Sequence, residues 1–222
     1  MASVVQIWRY PVKSMAGEQL DSCMVTELGL EGDRQWAFVD GAPHRAGKLL
    51  NIKQHEDLMR YRARLVGGRP EVVAPDGEIQ DLDGALVDRL EVESSRPLQL
   101  RDAAGENFDD APVLIVNLES VAAFSVEAGM PVDPRRFRGN LYVDGLEPEA
   151  ELAWLGRCIQ AGEAELEVFS RCVRCVVINR DPDTTESTPQ LLDLMVERHD
   201  KCMGMYCRVL RPGRVAVGDL VG

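Results

Sequence analysis

The chain is short of positive charge. Its 222 residues carry 25 Lys and Arg against 37 Asp and Glu, a formal net charge of −12. So acidic a surface repels phosphate backbones, and neither nucleic acid nor an anionic membrane is expected as a partner, although a basic pocket within an acidic shell stays compatible. Long apolar runs are also missing: no stretch approaches the ~18 consecutive apolar residues of a spanning helix. Met1-Ala2-Ser3-Val4-Val5-Gln6-Ile7-Trp8 has neither the charged start nor the apolar stretch of a secretory signal, which predicts a cytoplasmic chain. No internal repeat or low-complexity segment is visible, and 45% apolar with 28% charged residues excludes disorder and collagen-like structure. At about 100–200 residues per domain the chain is one large domain or two small ones. A chain of this size buries roughly 70% of its unfolded surface, enough to fold without metal or disulfide staples.

Strand signals fill the first half. Residues 4–8 are β-branched and aromatic, with Pro11 as terminator. Residues 22–28 alternate, and 35–39 end at Asp40-Gly41, a turn pair. Strands are expected again over 61–66, 71–74 and 78–82, separated by Gly67-Gly68 and Pro75-Asp76-Gly77. Short strands at this spacing suggest a barrel or sandwich. After a short apolar strand at 112–116, Asn117 is placed to cap a helix carrying Leu118, Val121, Ala122 and Val126, closed by Gly129. A second helix is expected from Thr188, with Pro189 in its first turn, and strands over 205–210 and 214–221 finish the chain. The fold class is mostly β with a few helices (α+β). The pattern changes near 84–93, which divides the chain into 1–88 and 89–222.

Six cysteines are an even number, but without a secretory signal they are expected to stay reduced: buried apolar side chains plus one or two put to chemical use. The sharpest local feature is Cys172-Val173-Arg174-Cys175, followed by Asn179-Arg180-Asp181-Pro182-Asp183-Thr184. An arginine between two thiols favours the thiolate, the form that attacks or ligates metal. Three readings stay open here: two buried structural thiols, a zinc site completed by Cys202 and Cys207, or a redox pair. Tyr10-Pro11-Val12-Lys13-Ser14 reads as an anion clamp of one ammonium, one hydroxyl and loop amides, or as a solvated loop lysine. Arg34, in Gly32-Asp33-Arg34, either reaches a phosphate with its planar fork or pairs with a neighbouring acid. Asp133-Pro134-Arg135-Arg136-Phe137-Arg138-Gly139-Asn140 concentrates arginines in an acidic chain, for anion recognition or to offset nearby carboxylates.

In this order along the chain, Tyr-Pro-Val-Lys-Ser, Gly-Asp-Arg, Phe-Arg-Gly-Asn and Cys-x-Arg-Cys with Asp-Pro-Asp-Thr resemble the MOSC family over essentially the whole length. The resemblance implies a MOSC-type β-barrel with a smaller N-terminal β-barrel-like subdomain. It also implies a molybdenum cofactor, one metal on one molybdopterin, with Cys175 as the protein ligand of the metal. Lys13, Ser14, Arg34, Arg138 and Asn140 fall where that family grips the pterin and its phosphate; Arg174 lines the site, and Tyr206 stands near it. A soft thiolate suits a metal already held by dithiolene sulfurs, and converging basic motifs would supply the phosphate's counter-charge.

The activity implied is reduction of N-hydroxylated small molecules (hydroxylamines, N-hydroxypurines, amidoximes) to the amine and water, with Cys175, Asp181 and Asp183 as catalytic candidates and Asp181, Asp183 or a metal-bound water as candidate proton donors. No cysteine spacing suits a plant-type iron–sulfur domain, so a separate electron-donor protein of ferredoxin or flavoprotein type is expected. Asp109-Asp110-Ala111-Pro112 departs from the family, where hydroxyl residues are common. The alternative is a cofactor-binding or persulfide-carrying protein without redox turnover.

Overall fold

The computed structural model describes residues 1–45 and 47–222. The chain forms two compact units: one of residues 1–8, 19–31 and 110–222, the other of residues 9–18 and 32–109. These are not the two sides of a single cut at 88/89, because the first strand and the segment 19–31 join the C-terminal residues. Three helices stand among the strands, α1 (Gly84–Ser94), α2 (Leu118–Ala128) and α3 (Gln190–Arg198).

The larger unit is built on a closed barrel of seven strands. They are β1 (Ala2–Arg9), β2 (Val113–Asn117), β3 (Leu141–Asp144), β4 (Cys158–Ala161), β5 (Ala164–Val173), β6 (Cys202–Arg211) and β7 (Leu220–Val221). Around the barrel the order is β1-β3-β2-β6-β5-β4-β7, and β7 pairs with β1 to close it. Only β2 and β3 run parallel. Closure leaves no open edge on these strands. Side chains of alternate residues fill the interior: Val4, Val113, Ile115, Leu141, Val143, Ile159, Leu166, Val168 and Met205. On the other face, Leu114, Val116 and Tyr142 pack with Val121 and Phe124 of α2 and Leu191 and Met195 of α3. Strand β2 is buried on both faces, which is why it reads as a continuous apolar run.

Both helices expected in this unit form, α3 beginning at Gln190 rather than Thr188, with Pro189 at its cap position. The Asn117 side chain accepts from the Glu119 amide, and Gly129 ends α2 at φ 65°, the left-handed conformation glycine takes without cost. For α3 the side-chain cap comes from elsewhere: Asn179 Oδ1 accepts from the Leu192 amide at 2.8 Å. The smaller unit has two three-stranded antiparallel sheets, Leu98–Asp102 with Trp36–Asp40 and Lys48–Leu49, and Arg62–Val66 with Arg69–Val73 and Ile79–Asp81. With α1 they enclose Val12, Met15, Phe38, Leu58, Tyr61, Leu86 and Leu90. Helix α1 lies where the sequence showed only a change of pattern. It buries just Leu86 and Leu90, and Asp83 caps it through the Ala85 and Leu86 amides. Among the described residues no helix is long and apolar enough to cross a membrane.

Candidate functional site

In the larger unit the Cys-x-Arg-Cys segment leaves the end of β5. Cys175 is half-buried, in extended conformation, and opens the single turn Val176–Asn179. Arg174 is buried. Its amide donates to the Lys201 carbonyl at 2.7 Å, and its guanidinium donates to Cys172 Sγ and to the Phe137 carbonyl, both at 2.6 Å. The guanidinium also lies over the Phe137 ring, 5.3 Å from its centroid. The arginine thus serves the buried Cys172 directly. Burial works against its charge, but Cys172, Tyr206 and Cys175 outweigh that, and the group is held above its ordinary pKa. Arg174 Nε is buried without a hydrogen-bond partner.

Tyr206 lies on β6, opposite Leu114 and Ser170, with its ring stacked on Phe169. Burial and a hydrogen bond with Cys172 raise its phenol pKa, so the proton stays on at neutral pH.

The Phe-Arg-Gly-Asn segment comes to the same part of this unit, since Phe137 supplies the carbonyl to Arg174. Arg138 closes the turn Pro134–Phe137 in left-handed conformation, φ 52°. At Gly139 a Cβ would stand 2.8 Å from Val116 Cγ2 and 3.1 Å from the Tyr142 ring, so any side chain there would have to displace its neighbours. Asn140 is buried and joins two strands: its Oδ1 accepts from the Leu114 amide and its Nδ2 donates to the Trp8 carbonyl. Both ends of that amide are in use within the barrel wall.

Asp181 and Asp183 are placed differently from the proton donors expected of them. Asp181 Oδ1 accepts from the Asp183 and Thr184 amides, and its Oδ2 lies 3.2 Å from Arg136. Despite burial, those amides and Arg136 hold its carboxyl below the ordinary range, so it has no proton to give at neutral pH. Asp183 takes Arg135 in a two-pronged pair, at 2.9 and 2.6 Å. Both carboxylates are turn and ion-pair partners. Arg135 and Arg136, noticed only as a charge cluster, are the residues that receive them; Arg136 also donates to the Ile178 carbonyl.

In the smaller unit the other two motifs meet. The Tyr10 amide donates to Asp33 Oδ1 at 2.7 Å, and the Arg34 amide donates to the Tyr10 carbonyl at 2.7 Å. Arg34 pairs with the buried Asp33 and lies over the Tyr10 ring. Burial opposes its charge, while Asp33, Tyr10 and Asp109 sustain it above the ordinary value. Lys13 is buried; its ammonium donates to the Asn107 carbonyl and to Asp109 Oδ1, each at 2.7 Å. Ser14 is buried beside it. Ser14 and Arg34 are left-handed, φ 72° and 49°, as is Arg138 in the other unit. Such backbone costs about 1–2 kcal/mol per non-glycine residue, and it recurs in three of the four motifs.

The structure does not favour a four-thiolate zinc site. Cys207 points into the barrel core, where burial pushes its thiol up to about 12, and burial also raises Cys202. Among the described residues no group of three or more His, Cys, Asp or Glu is placed to hold a metal ion. The donor set at Cys175 is therefore one accessible thiol beside a buried arginine with an unused N–H. That suits a metal that brings most of its own ligands, together with an acceptor for Arg174.

Two family models match the chain: the MOSC domain over residues 100–222 and the MOSC N-terminal beta barrel domain over residues 1–117. The chain is 25% identical to a molybdenum cofactor sulfurase of Caenorhabditis briggsae, covering 94% of this chain and 34% of that protein. It is 24% identical to mitochondrial amidoxime reducing component 2 of Bos taurus and 25% to mitochondrial amidoxime-reducing component 1 of Homo sapiens; each match covers 100% of this chain and 83% or 82% of the relative. The chain thus spans about a third of the sulfurases it matches. In fold it is similar to the YUAD protein of Bacillus subtilis, at a TM-score of 0.56 and 18% identity, over 100% of this chain and 94% of that one.

Proposed function

Because the chain belongs to the MOSC family, through both its N-terminal barrel region and its MOSC domain, we propose that it is a molybdenum-cofactor-dependent reductase of N-hydroxylated compounds. One observation carries the reading: Arg174 is buried with two of its nitrogens committed and Nε unpartnered, one residue before a half-exposed cysteine. A buried N–H left unmade costs about 1–3 kcal/mol, which a bound acceptor relieves. When bound, the cofactor would supply the two-electron redox chemistry, with the protein contributing a ligand and its surroundings.

Cys175 would be that ligand, a soft sulfur donor. Arg174 fixes a positive charge beside it and offers Nε to an acceptor of the cofactor. Its rigidity comes from the Phe137 and Lys201 carbonyls, so the charge does not follow the ligand but waits for it. Tyr206 keeps its proton and so acts on that side as a donor. Arg138 and Asn140 belong to the same proposed assembly, with Asn140 acting through the barrel wall it ties together. Lys13, Ser14 and Arg34 of the smaller unit are proposed for the cofactor's phosphate, one buried and one part-buried cation and a hydroxyl. Neither Asp181 nor Asp183 is retained as proton donor. Electrons are proposed to come from a separate ferredoxin- or flavoprotein-type partner.

The test is metal content and turnover together. The wild-type chain made in a molybdenum-replete host should hold molybdenum and, with dithionite-reduced dye, convert 6-hydroxylaminopurine to adenine; Cys175→Ser should lose the metal, and Cys172→Ser should keep it. Full molybdenum without turnover rejects the reductase. The likeness to molybdenum cofactor sulfurases favours a second reading, a persulfide carrier; a persulfide on Cys175 with no bound molybdenum would establish it instead.

A further inference from the structure

Arg174 differs from Arg135 and Arg136 in what holds it. Asp183 takes Arg135 with both carboxylate oxygens, and Asp181 lies 3.2 Å from Arg136. Among the described residues no carboxylate pairs with Arg174: its Nη1 donates to the Cys172 sulfur and its Nη2 to the Phe137 carbonyl. Cys172 is 2% exposed and also takes a hydrogen bond from Tyr206, so one buried sulfur is the common acceptor of a guanidinium and a phenol. The backbone aims that sulfur. Strand β6 takes three steps, from Met205 to Cys202, where β5 takes two, from Arg171 to Val173. The extra residue lies where Gly204 stands at φ 84°, and a Cβ there would be 2.8 Å from the Ile115 carbonyl oxygen. Such irregularities re-aim the side chains beside them. Here Val173 stays exposed while Cys172 turns into the cluster that holds Phe137, Ile178 and Met203.

We propose that Cys172 is a positioning residue, whose sulfur holds Arg174 by one terminal nitrogen and so keeps Nε open to the ligand. The inference rests on the reading of Arg174 as a contact to the cofactor. A carboxylate accepts from a guanidinium as a two-pronged fork, which can take Nε together with a terminal nitrogen. A sulfur is one acceptor atom and takes a single nitrogen. The Phe137 carbonyl takes the other terminal nitrogen, and Nε is left without a partner. Anchored through both terminal nitrogens, the guanidinium keeps its plane, so the direction of the Nε–H is set before the ligand arrives. An apolar side chain at position 172 would remove one of the two anchors and leave Tyr206 without its acceptor.

The experiment compares Cys172→Ala, Cys172→Ser and Cys207→Ala in two preparations of the full chain, with Cys172→Val as a second apolar variant that fills the space. In chain made in a molybdenum-replete host, the readout is the half-time of molybdenum loss on dialysis. In chain made without cofactor, it is the NMR spectrum of the arginine side-chain N–H groups, with Arg174 assigned by the signals that Arg174→Lys removes. Wild type should show distinct signals for the two terminal nitrogens of Arg174. Cys172→Ser, whose hydroxyl also accepts, should keep them and lose molybdenum within about twofold of the wild-type rate. In Cys172→Ala and Cys172→Val the signals should merge, and molybdenum should leave about tenfold faster. Cys207→Ala truncates a buried thiol inside the barrel; it should melt lower than wild type with both readouts unmoved. The proposal requires both effects from the apolar variants, and either one alone, or neither, overturns it. Equal effects from Cys207→Ala would reduce them to a general loosening and overturn it, as would a Cys172→Ser that behaves like Cys172→Ala. A wild-type chain without molybdenum rejects the cofactor reading itself and takes the inference with it, whatever the NMR signals show.

Discussion

His199 offers the sharpest test of the electrostatics of the larger unit. Its ring is 9% exposed, with Nδ1 2.8 Å from Glu149 Oε1 and Nε2 3.0 Å from Glu127 Oε2, and its edge meets Phe124 at 5.5 Å between centroids. Ionised carboxylates only accept hydrogen bonds, and a neutral imidazole donates only one, so one of the two contacts requires the imidazolium. Burial works against that charge, but Glu149 and Glu127 prevail and the folded-state pKa is raised above 6.5. Raised in this direction, the group contributes stability fully below its unfolded value of about 6.5, and loses it as pH rises through the folded value. Charge-assisted hydrogen bonds are worth about 1.5–3 kcal/mol each when shielded. Glu149 is 52% exposed, so screening takes most of its share, and the pair is worth about 2 kcal/mol. His199→Gln should therefore cost about 2 kcal/mol in urea unfolding near pH 5.5 and well under 1 kcal/mol near pH 9.5. The chain has three histidines, so the His199 titration is assignable by NMR from the variant's missing signal, and it should lie above 6.5. A penalty equal at both pH values, or a titration below 6.5, refutes the reasoning.

Asn140→Ala removes the acceptor for the Leu114 amide and the donor to the Trp8 carbonyl, and should destabilise the protein by about 2–4 kcal/mol in denaturant unfolding. Gly139→Ala should cost about 1–3 kcal/mol in the same assay, since Val116 and Tyr142 must give way to the new methyl. Leu166→Ala opens a cavity in the barrel interior and should cost about 2–5 kcal/mol. Asp183→Asn breaks a partly exposed pair with Arg135, so it should leave molybdenum content unchanged and turnover within a few-fold of wild type. A loss of turnover beyond about a hundredfold with the metal intact, the scale of a missing general acid, would restore that residue as proton donor.

Much of the fold was legible in single residues and short periods. Asn117 and Gly129 bracket α2 because a cap and a left-handed stop are local chemistry. Apolar runs and the Asp40-Gly41 pair mark strands for the same reason. Helix α1 escaped because it buries only two leucines, too thin a stripe to show a period against its polar face. Strand β5 escaped because its opening Ala-Glu-Leu-Glu-Val alternation sits among charges, and its register shifts break the period before Cys172.

The four motifs were visible as residue types, and the sequence alone identified their order and the arginine set between two thiols. Tertiary structure alone decided their partners. Arg174 serves Cys172, Asp181 answers Arg136, Asn140 ties β1 to β2, and Lys13 is held by an exposed carboxylate 96 residues away. Many of these partners are backbone carbonyls, those of Phe137, Lys201 and Asn107 among them. A carbonyl is the same group at every position, so no residue letter announces which one will meet a buried cation until the strands have brought it there.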